Sequence, residues 1–396
     1  NMQKRKVSGR KKMSKSAMAQ RITGRLAETS WLAKHINAPD LLIVDARGTP
    51  DYINGHVENA VSASFAPDKY ISYGINTSYG GGIDFFTDPN AAIPFQDGPP
   101  EQIQEVLRSM GVNKDSTVVI YDSGAGMLAA RFFWTLHYFG HKKVYILNGG
   151  LSMWVEDGYP TVTDIPKVRE GNFIASVPDP LIKVDTDYVL AALKKSDTVM
   201  VSGLWPNWHY GGYLPYSRGG HIPYSIVMPF DSYFKEDKTW KDASDLKAMF
   251  EYMGITPDKE VITHCGGGVA GACAYFTLKY VMGYPDVKMY LEGMLGWIDD
   301  PRDLAFWTYD NVHLMRNTDW VQWWGGERIQ YLIDDTRVRI VDCRSREKYK
   351  AGHIPYSINV PGDELATELN MVPEAWEDWL GKNGIGNNAE VAVYDE

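Results

Sequence analysis

The chain has 396 residues, 44% of them hydrophobic and 23% charged, which is enough for two or three separate cores and too much for a single one. Its formal net charge of -10 predicts an acidic, solvated surface and argues against a nucleic-acid footprint. The only cysteines, Cys265, Cys273 and Cys343, are odd in number and widely spaced, which argues against a disulfide framework or a zinc site and predicts free thiols and no metal.

Residues 1–26 read as a basic arm in which Lys4, Arg5, Lys6, Arg10, Lys11, Lys12, Lys15, Arg21 and Arg25 stand without an intervening acid. A solvated arm is the plain reading, because no apolar stretch of membrane or signal-peptide length accompanies the charge. A targeting remnant or a phosphate-seeking tail are the alternatives. Free thiols favour a cytoplasmic setting slightly; a leader removed upstream of Asn1 would place the chain outside the cytoplasm.

Laid against itself, the chain repeats three times. The first copy, residues 27–160, opens with the apolar strand Leu42–Ile43–Val44 ending in Asp45–Ala46–Arg47, followed by Gly55–His56–Val57–Glu58–Asn59–Ala60. A second strand, Thr117 to Asp122, then leads into an Ala-rich, aromatic helix and a third strand ending at Leu147–Asn148–Gly149–Gly150. Residues 161–180 are rich in Pro and polar side chains and read as a linker.

The second copy, residues 181–300, carries Gly220–His221–Ile222–Pro223–Tyr224–Ser225 and the strand Val261–Ile262–Thr263–His264–Cys265. Its opening strand, Val199 to Leu204, lacks the acid-and-arginine pair, with Ser202 in the acid's place. Residues 301–326 form a second linker, and residues 327–396 a third, incomplete copy with Asp342–Cys343–Arg344, Gly352–His353–Ile354–Pro355–Tyr356–Ser357 and a strand ending at Asp395. Strands alternating with helices predict repeated α/β domains, each a mainly parallel sheet flanked by helices. Such sheets bind ligands outside the carboxyl ends of their strands, which is where Asp122, Cys265 and Asp395 fall.

The loop Cys265–Gly266–Gly267–Gly268–Val269–Ala270–Gly271 carries the chemistry. Glycines let successive N–H groups curl toward one spot, making an anion cradle. A helix predicted over Ala270 to Met282 adds its positive end, and both features are expected to lower the thiol pKa. The bland alternative is a small buried cysteine followed by a tight turn. Cys273, inside that helix, and Cys343, matching Ala46, read as structural. His264 is expected to face away from the loop, since strand side chains alternate, and the recurring His56, His221 and His353 to hold turns. Aromatic runs such as Trp320 to Trp324 read as packing, with a protein partner unidentified.

These motifs resemble the tandem rhodaneses, a family of thiosulfate and 3-mercaptopyruvate sulfurtransferases, over nearly the whole chain from about residue 28. The resemblance rests on Val44 to Arg47 with Gly55–His56, on Phe139–Gly140–His141 with Leu147 to Gly150, and on the Cys265 loop. It implies that Asp122 replaces a lost cysteine in an inactive first domain, while Cys265 accepts a sulfane sulfur as a persulfide and passes it to cyanide or a thiol, without metal or organic cofactor. The sequence departs from the mercaptopyruvate pattern, with Gly267 at the family's loop serine and Trp208 or His209 at the first arginine position, which leaves Arg218 as the possible contact to a substrate anion. Thiosulfate is the expected donor, because an amide cradle can hold a sulfur oxyanion without the basic residues common in thiosulfate enzymes, which this loop lacks; 3-mercaptopyruvate is the alternative donor. A non-catalytic persulfide carrier or scaffold is the competing reading. A phosphatase is disfavoured, because Gly271 stands where an arginine would grip phosphate.

Overall fold

The computed structural model describes residues 24–63, 88, 90–93, 95–176, 180, 182–211, 217–307, 338–355, 357–361, 380–382, 385 and 390–394. The first repeat runs β1 (Leu26–Ala27), α1 (Thr29–His35), β2 (Leu41–Asp45), α2 (Thr49–Asn54), β3 (Ala60–Ser62), α3 (Pro100–Ser109), β4 (Thr117–Tyr121), α4 (Met127–Tyr138), β5 (Val144–Leu147) and α5 (Gly150–Glu156). The second runs β6 (Lys183–Val184), α6 (Thr186–Ala192), β7 (Thr198–Ser202), α7 (Pro206–His209), β8 (Ser225–Val227), α8 (Ala243–Tyr252), β9 (Glu260–His264), α9 (Val269–Phe276), β10 (Val287–Tyr290) and α10 (Gly293–Asp299). Among the described residues the third shows β11 (Val338–Asp342), α11 (Arg346–Ala351), β12 (Ile358–Asn359) and β13 (Glu390–Tyr394).

The strand orders are β1-β5-β4-β2-β3 and β6-β10-β9-β7-β8, the same permutation twice, and the third sheet, β12-β11-β13, repeats its end. Every strand pair is parallel. Parallel strands covered by helices on both faces need apolar side chains on both, which is why β4 reads Thr-Val-Val-Ile-Tyr without alternation and is buried along most of its length. β4 and β9 lie inside their sheets, so the residue following each emerges at the middle of a carboxyl edge.

The first two repeats form one compact unit, and the third belongs to another. Within the first unit α4 packs on α9, where Phe133 meets Phe276 edge to face with centroids 4.8 Å apart. The predicted linker does not run free over its described part. Val162 bridges to His56, Gly171 N–H donates to Arg108 O, and Phe173 is buried with its N–H on Val112 O. Backbone pairing of this kind leaves no mark in a Pro-rich, polar composition. The helix predicted over Ala270 to Met282 forms in two pieces, α9 and a π turn over Thr277–Val281.

One polar knot fastens the opening strand of the first and third repeats. Arg47 pairs with buried Asp45 at 2.6 Å and donates to Gly55 O, while Tyr121 OH donates to Asp45 Oδ2 and accepts from Val57 N–H. Arg344, Asp342, Gly352, Tyr394 and Ile354 repeat the arrangement, with the ion pair at 2.7 Å. His56 stacks on Tyr52 and His353 on Tyr349, both at 3.8 Å, each ring bonded through Nδ1 to the carbonyl of its stacking partner. The histidines thus hold turns, as the sequence predicts.

The second repeat builds the same knot without a charge. Ser202 and Leu204 replace the acid and the arginine, His209 replaces the stacking tyrosine, and His264 stands where Tyr121 and Tyr394 do. His221 stacks on His209 at 3.7 Å and bonds its carbonyl, and His264 Nε2 meets Ser225 Oγ at 2.8 Å. Burial pushes His209 down to about 2 and His264 to about 3, so both rings are neutral.

Two outcomes follow from these knots. Asp45→Ala leaves a buried guanidinium without its carboxylate and is expected to cost about 3–5 kcal/mol, read as a lowered denaturant midpoint of the first unit. His209 and His264, ordinary in the unfolded chain, bind protons there below about pH 6.5 but stay neutral when folded. Stability is therefore complete above that pH and is lost as pH falls toward 3. The midpoint of denaturation is expected to drop across this window, and to drop less in His209→Tyr.

Candidate active site

Cys265 leaves β9 at the carboxyl edge of the second sheet and is 3% exposed. Burial pushes its thiol pKa up, opposed by the main-chain N–H groups of Gly271, Gly268, Gly267 and Ala270, all aimed at the sulfur. The sequence-based expectation of a lowered thiol pKa is thus corrected. The cradle exists as predicted, but the cost of burying a thiolate outweighs it in the sulfur-free protein.

Glycine is required at two places in this geometry. Gly268 caps α9 with φ of +89°, and a Cβ there would stand 2.4 Å from Leu291 Cδ1. Gly293 has φ of +56°, and its Cβ would meet Cys265 O at 2.3 Å, the carbonyl that accepts from Met294 N–H.

The first repeat shows what such a cradle holds. Asp122 leaves β4 at the equivalent point, and its carboxylate accepts from Gly124 and Gly126 N–H on Oδ1 at 2.9 and 3.0 Å, and from Leu128 and Ala129 N–H on Oδ2 at 3.1 and 3.2 Å. Gly126, Leu128 and Ala129 match Gly268, Ala270 and Gly271, counted from the start of the following helix, while Gly124 and Gly267 each stand two residues after the side chain they face. An anion occupies in one repeat the place that sulfur occupies in the other.

Each of these two repeats covers the other's loop. Phe234 and Trp240 of the second close over Gly126, where a Cβ would lie 2.5 Å from Phe234 Cζ, while Phe95 of the first lies over Gly267, whose Cβ would stand 2.6 Å from the ring. Phe95 has φ of +67°, a strained value for a bulky residue. Its carbonyl is gripped by Arg131, whose guanidinium is fully buried in a 2.8 Å ion pair with Asp97. The Cys265 pocket, about 90 Å³, is walled by Phe95 and Met127 from the first repeat and by Leu204, Trp205, Trp208, Phe230 and Leu295 from the second.

Arg218 does not reach this pocket. It pairs with Asp303 at 2.7 Å, 85 residues away, and lies over the Phe306 ring, so the expected contact to a substrate anion is not among the described lining residues. Trp208 lines the pocket, whereas His209 is spent in the buried stack. Cys273 is buried in α9 with its pKa pushed well up by burial, and Cys343 is half-buried beside Asp342. Among the described residues no group of three or more His, Cys, Asp or Glu could hold a metal, and no helix is long and apolar enough to cross a membrane. Residues 1–23, Asp395 and Trp320 to Trp324 lie outside the described residues.

Sequence reasoning missed Phe95, Leu204, Trp205, Phe230 and Leu295. Leu204 alone had a signal, since it stands where Arg47 and Arg344 stand in the other copies.

Repeated parallel α/β domains with a cysteine seated in a strand-to-helix amide cradle define a class of proteins that present sulfur as a nucleophile. The chain belongs to the rhodanese-like domain family, whose model matches residues 28–157, 194–300 and 327–396. It is similar to a 3-mercaptopyruvate sulfurtransferase of Escherichia coli, 31% identical over 67% of this chain and 92% of that protein. It is also similar to the sulfur carrier protein TtuD of Thermus thermophilus (28%; 69% and 93%) and a thiosulfate sulfurtransferase of Azotobacter vinelandii (28%; 69% and 94%). Among solved structures, SseA from Escherichia coli, described as a 3-mercaptopyruvate sulfotransferase, superposes with a TM-score of 0.59 at 29% identity, over 68% of this chain and 98% of that one.

The left-handed cap gives the site a simple test. Gly268→Ala is expected to destabilise the first unit by about 1–3 kcal/mol, measured by chemical denaturation, because both φ and the contact with Leu291 must give.

Proposed function

We propose that the chain is a sulfurtransferase in which Cys265 accepts a sulfane sulfur as a persulfide and passes it to cyanide or a thiol. The observation that carries this reading is the repeated cradle: four main-chain N–H groups at the head of one helix hold the Asp122 carboxylate, and four at the head of the corresponding helix face the Cys265 sulfur. Deprotonated persulfides are anions at neutral pH, so the sulfur-loaded state supplies the charge that these donors are set to receive.

The step balances without a cofactor. With thiosulfate, Cys265 sulfur bonds to the outer sulfur, the donor S–S bond breaks, and its electron pair leaves on sulfite; cyanide then takes the outer sulfur as thiocyanate and the pair returns to Cys265. Gly266 to Gly271 form the persulfide loop, and Asp122 marks the first domain as inactive in this chemistry. We take residues 27–160, 181–300 and 327–396 as the three domains, joined by 161–180 and 301–326 and preceded by the basic arm.

A second reading, a carrier that loads Cys265 and discharges only to a protein acceptor, is favoured by the raised thiol pKa and the aromatic cover of the loop. Sulfur transfer to cyanide from thiosulfate and, separately, 3-mercaptopyruvate separates the two. Thiocyanate is expected from the intact protein and none from Cys265→Ser. A mass gain of one sulfur at Cys265 without turnover would favour the carrier, and neither thiocyanate nor mass gain would overturn the reading.

A further inference from the structure

We propose, resting on the sulfurtransferase reading, that the donor matched to this site is an organic persulfide, R–S–SH, whose R group is apolar and aromatic or branched, rather than a sulfur oxyanion or a keto acid. The cradle meets only the transferred sulfur. Whatever the donor carries beyond that sulfur lies among Phe95, Met127, Leu204, Trp208, Phe230 and Leu295.

Two observations converge on this choice. Leu204 presents an apolar wall to the pocket at the position that Arg47 and Arg344 hold in the other repeats, where each arginine is tied to its own aspartate. Arg218 is drawn off by Asp303 and Phe306. A dianion would shed water against aromatic walls with no counter-charge from the described lining, whereas an apolar R group gains by the same contact.

The transfer is balanced. Cys265–SH and R–S–SH give Cys265–S–SH and R–SH: the Cys265 sulfur bonds to the outer sulfur, the donor S–S bond breaks with its pair on the inner sulfur, and the proton lost by Cys265 ends there. The released thiol is neutral and leaves through the apolar mouth.

Benzenethiosulfonate and thiosulfate form a matched pair of stable probes, since a phenyl group replaces one oxyanion and both surrender an outer sulfur. Methanethiosulfonate controls for the intrinsic reactivity of the thiosulfonate. For thiocyanate formation by the intact protein, kcat/KM is expected to be at least tenfold higher for benzenethiosulfonate than for thiosulfate, and several-fold higher than for methanethiosulfonate. Trp208→Ala is expected to shrink the phenyl-over-methyl ratio, and Leu204→Lys to shift preference toward thiosulfate. Thiosulfate equal to or better than the aryl donor, or ratios unmoved in both variants, would overturn the proposal while leaving the sulfurtransferase reading intact. Thiocyanate from no donor would overturn both.

Discussion

At the head of α9, four peptide N–H groups converge where β9 ends, and such buried donors must be met by an acceptor. The demand sets the local design. A carboxylate places its oxygens two bonds beyond Cβ and a thiol its sulfur one bond beyond, and the loops differ to match. Three residues separate Asp122 from the capping Gly126, and two separate Cys265 from Gly268. The glycines at 150 and 293 answer the same demand from the other side, letting a neighbouring turn approach the carbonyl of Asp122 or Cys265. One arrangement of main chain thus serves two side chains, and the side chain alone decides whether a repeat can form a covalent bond to sulfur.

Burial and the cradle act against one another on Cys265. With a bare thiol the desolvation of the charged form prevails. A persulfide is more acidic than its parent thiol and carries its charge one atom further out, so loading moves the balance toward the donors. The resting cysteine is shielded by burial and the loaded one held by hydrogen bonds, with no side-chain cation taking part among the described lining residues. The neutral histidine knot beneath it fits this economy. Ser225, His209, His221 and His264 fasten the strands without setting a carboxylate close behind the sulfur, as Asp45 and Asp342 would.

The strand pattern, the threefold repeat and the coincidence of Asp122 and Cys265 were legible in the sequence because each depends on neighbours within a few residues. His56 and His353 were legible as turn residues for the same reason, each bonding a carbonyl four residues back. What escaped depends on the second repeat meeting the first. Phe95 reaches the Cys265 loop from another repeat, held there by Arg131, and no local pattern marks it. The direction of the thiol shift was misread because glycine and helix signals are written in the chain whereas burial is not. The pairing of Arg218 with Asp303 was not legible either, because the two lie far apart along the chain.

The exchanged covers of the first two repeats have a consequence for how such a chain can change over time. Phe95 belongs to one half and the cysteine it shields to the other, while Phe234 and Trp240 return the service over Asp122. A gene fragment encoding either half alone would specify a loop without its roof, and exchanging one half between relatives would pair a loop with a roof shaped for another. Each loop is therefore complete only when both halves are present, and the half without a cysteine lends its shelter to the half that has one.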